Sequence, residues 1–200
     1  MDAHGDPFKP LSEEARTAPV TGAADEWTCL RPAPDTLPTP TEDDARRFTP
    51  SGYVLSGLWH YRDADELFLC SVARYDRPAN GAPADKVFRP LSYWQGPDAS
   101  IELRPKNVKA PRPLYGLPQL AEYPDAPVLV VEGEKAADAA GEKLPDWVAV
   151  TSMNGASGAK SADWTALAGR HVVIWPDADE PGEKYGGDVA ACVEKAGAAS

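Results

Sequence analysis

Two short apolar runs, each stopping abruptly on acidic residues, constrain this chain more than any other feature. The first is Val128-Leu-Val-Val131, which runs straight into Glu132-Gly133. The second is Val172-Val-Ile-Trp175, followed by Pro176-Asp177-Ala178-Asp179 and, three residues on, Gly182. Continuous Val/Ile/Leu runs bounded by turn residues suit strands buried on both faces, as in a parallel sheet between helices. Ligand sites in such sheets lie outside the carboxyl ends of the strands. Glu132, Asp177 and Asp179 are therefore expected to converge on one spot. Three carboxylates there repel one another unless a hard cation neutralises them, and Mg²⁺ (or Mn²⁺) is the natural choice.

The pattern around these runs alternates. Glu134–Leu144 is Ala-rich and helical up to Pro145, Trp147–Ser152 is strand-like, residues 162–168 suit a short helix, and Asp188–Ala196 suits a last one. Strand, helix, strand, helix, strand, helix is a doubly wound α/β layer. The Gly-rich stretch Asn154-Gly-Ala-Ser-Gly-Ala-Lys160 has Ala159 where a phosphate-binding Walker loop requires glycine before the lysine.

The paired motifs, Val131-Glu-Gly-Glu-Lys135 and Trp175-Pro-Asp-Ala-Asp-Glu-Pro-Gly182, resemble the Toprim domain, in the form found in primase-like proteins of phages, plasmids and other mobile elements. The resemblance is close over the last third of the chain and looser over 51–126. It implies a Toprim-like parallel sheet with flanking helices, with Asp177 and Asp179 as the metal pair and Glu132 as metal ligand or general acid/base. The implied activity is Mg²⁺-dependent nucleotidyl transfer on single-stranded DNA in mobile-element replication. Single-stranded DNA, nucleotides and a replicative helicase would be the partners. A Toprim nuclease and a non-catalytic recruitment module for DNA or a protein partner are the alternatives. Primases of this kind carry an Asp four residues after the Glu; here that position is Ala136, and Asp138 lies on another helix face. A Toprim-like sheet also resembles four parallel strands where three are visible, so the domain is expected to be truncated.

The rest of the chain divides in two. Residues 1–50 are rich in proline and acid, and are expected to be a disordered linker. Residues 51–120 read as a small β-rich unit, with a hairpin turning at Arg62–Asp65 and a third strand from Lys86 to Trp94. The fold class expected is thus α/β: linker 1–50, β-rich unit 51–120, and Toprim-like domain 127–200.

Charge bears on partners. The chain carries a formal net charge of −11, unlike a general nucleic-acid binder. One segment runs the other way: Lys86, Arg89, Arg104, Lys106, Lys109 and Arg112 face only Asp98 and Glu102 between positions 86 and 112. With Trp94 among them, these residues are the expected grip on single-stranded nucleic acid, phosphates on cations and bases on rings. Cys29, Cys70 and Cys192 are too dispersed for a disulfide framework or a zinc ribbon. No apolar run reaches the ~18 residues of a membrane span, and the N-terminus lacks signal-peptide character, so a cytoplasmic protein is expected.

Overall fold

A computed structural model of the chain describes residues 27–78 and 85–199. Two sheets form it. The first is antiparallel, built from β1 (Thr28–Cys29), β2 (Val54–Arg62), β3 (Phe68–Asp76), β4 (Lys86–Gln95) and β5 (Ile101–Arg104). Its order is β1-β4-β3-β2, with β5 also paired to β4. The expected hairpin joins β2 and β3, and its turn is organised by Asp63, whose Oδ1 accepts from the amides of Asp65 and Leu67 at 3.0 and 2.9 Å.

Strand alternation gives this sheet two different faces. Ala73, Tyr75 and Leu91 pack beneath helix α1 (Glu42–Arg46), whose Ala45 is fully buried. The Tyr75 hydroxyl donates to the Ala45 carbonyl at 2.7 Å and fixes the helix there. Thr41 and Asp44 close a capping box that starts α1. Part of the expected linker is therefore built into the fold. From Thr28 to Arg46 the chain pairs with β4, covers Phe68 and Tyr93 with Ala33, and then supplies α1. Its prolines punctuate a packed loop rather than a free tether. Residues 1–26, the remainder of that segment, lie outside the described residues.

The second sheet has the order β6-β8-β7-β9, from β6 (Leu114–Tyr115), β7 (Val128–Val131), β8 (Val148–Ser152) and β9 (Val172–Trp175). β7 is central and runs parallel to both β8 and β9, while β6 is a two-residue antiparallel edge. There are thus four strands, but the fourth is short and antiparallel where the resemblance led one to expect another parallel one. At the far edge, Ala199 begins a parallel bridge with His171. Helix α2 (Leu117–Glu122) follows β6, α3 (Glu134–Lys143) follows β7, and α4 (Glu180–Lys195) follows β9.

The sheet is covered on both sides. Val128, Val130, Val148 and Val150 pack against Tyr185, Val189 and Val193 of α4. Leu129 and Val131, on the other face, pack against Ala137 of α3. Helix α4 begins eight residues before the expected Asp188. Pro181 sits in its first turn, where the missing amide costs nothing, and Gly186 and Gly187 are absorbed in its interior. Residues 162–168, expected as a short helix, hold a single 3₁₀ turn at Thr165–Leu167, and the Gly-rich stretch before them forms two more, Gly155–Ser157 and Ala159–Ser161.

The two sheets are not independent units. Tyr61, Cys70 and Val72 of the first share a buried cluster with Met153, just after β8. Among the described residues, no helix is long and apolar enough to cross a membrane.

Candidate functional site

The order of the second sheet makes a crevice. Helix α3, leaving β7, covers one face, and α4, leaving β9, covers the other. Neighbouring parallel strands whose following helices lie on opposite faces define a topological switch point, with a cleft at their carboxyl ends. The register pairs Val131 with Trp175, so Glu132 and Pro176 leave the sheet side by side, and Asp177 comes next. The two acidic strand ends therefore border the same cleft.

Each end is shaped by a glycine. Gly133 has φ +90°, a conformation that side chains rarely adopt, and its amide donates to Thr151 Oγ1 at 2.9 Å. Gly182, in the first turn of α4, lies so close to Asp177 that a Cβ would come within 2.2 Å of that residue's carbonyl oxygen. The first glycine turns the chain from β7 into α3, and the second lets α4 start directly under Asp177.

The three carboxylates have different settings. Glu132 is half-buried and turned toward the loop after β8, where a Cβ on Gly155 would lie 3.7 Å from its Oε1. It does not cap α3, whose N-cap is Gly133. Asp177 is exposed. Asp179 is exposed too, but its Oδ1 accepts the Gly182 amide at 2.8 Å and caps α4. Beneath the crevice, the fully buried Tyr185 places its hydroxyl 3.1 Å from Ser152 Oγ and donates to the Val131 carbonyl at 3.3 Å. It ties α4 to the ends of β7 and β8. The sequence reading passed over Tyr185, although its spacing from Val189 and Val193 marks the buried stripe of an amphipathic helix.

Among the described residues, no three His, Cys, Asp or Glu side chains are arranged to hold a metal ion. The structure brings Glu132 and Asp177 to one cleft and commits an oxygen of Asp179 to a helix end.

Two other carboxylates bind the site to the first sheet. Glu134, buried in the first turn of α3, accepts from the Tyr61 hydroxyl at 2.7 Å. Burial pushes its carboxyl above the ordinary value, against the pull of that hydrogen bond. Asp138, one turn on, accepts from Trp59 Nε1 and from the Tyr115 hydroxyl, both at 2.7 Å. Helix α3 is thus held to β2 by aromatic donors on two successive turns.

The expected nucleic-acid strip does not assemble. Alternation along β4 sends Lys86 and Arg89 to opposite faces. Trp94 is 1% exposed, donates its indole N–H to Ser92 Oγ at 2.8 Å and lies under the Lys106 ammonium at 4.1 Å, so it offers no face to a base. Arg104 lies 4.1 Å above the Trp27 ring. Arg112 is half-buried and donates to the Val108 carbonyl at 3.3 Å. Of the seven residues, Lys86 and Lys109 alone are exposed. Closeness in sequence suggests one stripe of cations, but pleating and cation–π contacts disperse them. Phe88 and Tyr123 are exposed, and among the described residues the most exposed aromatic side chain is Trp175, at 64%, immediately before Pro176-Asp177.

A family model matches residues 59–178, more than half of the chain. The chain belongs to the DUF6371 family, a domain of unknown function. The match runs from within β2 to Ala178, so it spans the end of β2, strands β3 to β9, both partners of the Tyr61–Glu134 contact, Glu132 and Asp177. No curated protein matches this DUF6371 chain.

Proposed function

We propose that this DUF6371 chain is a primase-like Toprim protein that carries out Mg²⁺-dependent nucleotidyl transfer on single-stranded DNA in mobile-element replication. One observation carries the reading: the acidic ends of β7 and β9 border a single crevice where the helices change faces. The donor set suits the ion, because Mg²⁺ is commonly held by one or two carboxylates, with water and substrate phosphates filling its other positions. Glu132 and Asp177 would hold it, with Asp179 fixing the start of α4 beside them. Bound there, Mg²⁺ would polarise a phosphoryl group and offset charge as transfer proceeds. Where Asp177 alone holds the ion, Glu132, half-buried at the strand end, is instead the residue suited to take the proton of an attacking hydroxyl. Trp175 offers a stacking surface for an unpaired base next to Asp177.

A non-catalytic recruitment module competes with this reading, and the capping role of Asp179 favours it. The decisive experiment follows incorporation of labelled nucleotides on single-stranded DNA with Mg²⁺ or Mn²⁺, comparing wild type with Asp177→Ala and Glu132→Gln. Metal-dependent product that falls to background in both variants supports the primase reading. Strand cleavage with the same residue dependence would replace it with the nuclease. No reaction, with folding and DNA binding intact, would leave the recruitment module.

A further inference from the structure

A cavity of about 740 Å³ lies away from the strand ends. Its walls come from β2, α2, α3 and the start of β8. That volume is typical of small-molecule sites. Tyr115, Tyr123 and Trp147 give it aromatic surface, and Glu66, Asp138 and Asp146 give it three carboxylates.

The cationic side of the ledger is short. Arg62 is engaged: it donates to the Glu66 carbonyl at 2.7 Å and to Thr39 Oγ1 at 2.9 Å, with its Nε 3.9 Å from the Glu66 carboxylate. His60 lies 2.9 Å from Ser71 Oγ, and burial lowers its pKa, so the ring is neutral near pH 7. Asp138 is oriented by an indole and a phenol, two donors that carry no charge to offset its own.

Charge then selects the ligand class. A nucleotide would bring its phosphates against three carboxylates. A bare divalent ion would make no use of the rings. An alkylammonium group is attracted by carboxylates and ring faces alike, and its methylenes cover apolar surface. We propose that this cleft binds an aliphatic polyamine, with ammonium groups at Asp138 and Asp146 and the carbon chain along Trp147 and the tyrosines.

Calorimetric titration of the full chain with spermidine in 0.15 M salt tests this, since exposed charges are largely screened there. A saturable single site is expected. Asp146→Asn, a change at an exposed position, weakens it about tenfold through loss of one charge-assisted contact. Trp147→Phe, which keeps a ring, weakens it less. Glu194→Gln, an exposed acid on α4, leaves affinity unchanged. Equal binding by wild type and Asp146→Asn would overturn the proposal. So would an equal loss in Glu194→Gln, or displacement of spermidine by Mg²⁺ at matched charge, because diffuse attraction to an acidic protein would then explain the heat.

Discussion

The two sheets treat the same kinds of residue in opposite ways. The antiparallel sheet takes tryptophan and cations inward: Trp94 is buried under Lys106, and Arg104 is laid on Trp27. The parallel sheet leaves Trp175 and Asp177 in the open at the end of its edge strand. A basic and aromatic stretch of sequence is therefore no guide to a binding surface until its face is known. The position of the acidic strand ends was more legible, because chain direction in a parallel sheet dictates where they emerge.

The sharpest test of that contrast sets one tryptophan against another. Trp94→Ala should cost about 3–5 kcal/mol in urea unfolding, as for a large aromatic deleted from a core. Loss of the Tyr61 hydroxyl should cost less. Tyr61→Phe leaves the Glu134 carboxylate buried without its donor, and about 1–3 kcal/mol is expected from the same measurement.

The Glu134 contact also has a pH signature. Burial holds its folded pKa above the ordinary value, so the folded chain keeps this proton more tightly than the unfolded chain. The stability it confers is complete below the ordinary glutamate range and is lost as pH rises through the raised value. Glu134→Gln keeps an acceptor for Tyr61 and removes that loss. Its unfolding midpoint relative to wild type should therefore climb with pH across the same window, and a flat difference would show that the junction does not titrate.

Smaller effects belong to the other sheet. Asp179→Ala should cost about 1 kcal/mol through the lost cap, whereas Asp179→Asn keeps a capping oxygen and most of that stability. A polymerisation activity that fails in Asp179→Asn despite intact stability would make Asp179 a ligand as well as a cap. Trp175→Ala should change stability by less than about 0.5 kcal/mol, since the ring is mostly in solvent. If the crevice takes single strands, the same variant binds them more weakly, as fluorescence anisotropy of a labelled oligonucleotide would show.

The parts of the fold readable in the sequence were those with uniform local signals. The three apolar runs gave β7, β8 and β9, and the Ala-rich stretch gave α3 within one residue of its end. Helix α4 was only half legible. Pro181, Gly182, Gly186 and Gly187 all fall in the half that precedes the expected start at Asp188, yet Gly182 is required by the close approach of Asp177, and the buried stripe of Tyr185, Val189 and Val193 holds the rest in place. The 27–50 segment was illegible for a different reason: it packs through isolated contacts such as Ala33 and Ala45, which leave no periodicity. At the site, Glu132 and Asp177 were legible from strand direction. The roles of Tyr61, Trp59 and Tyr115 were not, since they depend on one sheet meeting the other.

That meeting gives the crevice one rigid jaw and one open one. Before Glu132, the Val131 carbonyl accepts from the Tyr185 hydroxyl; after it come Gly133, whose amide is tied to Thr151, and Glu134, which is tied to Tyr61 on the neighbouring sheet. Its backbone is clamped from two directions before any ligand arrives. Asp177 has only the start of α4 behind it and solvent in front. If the crevice takes a substrate as proposed, Glu132 is the carboxylate held in place and Asp177 the one whose side chain is left to adjust to it.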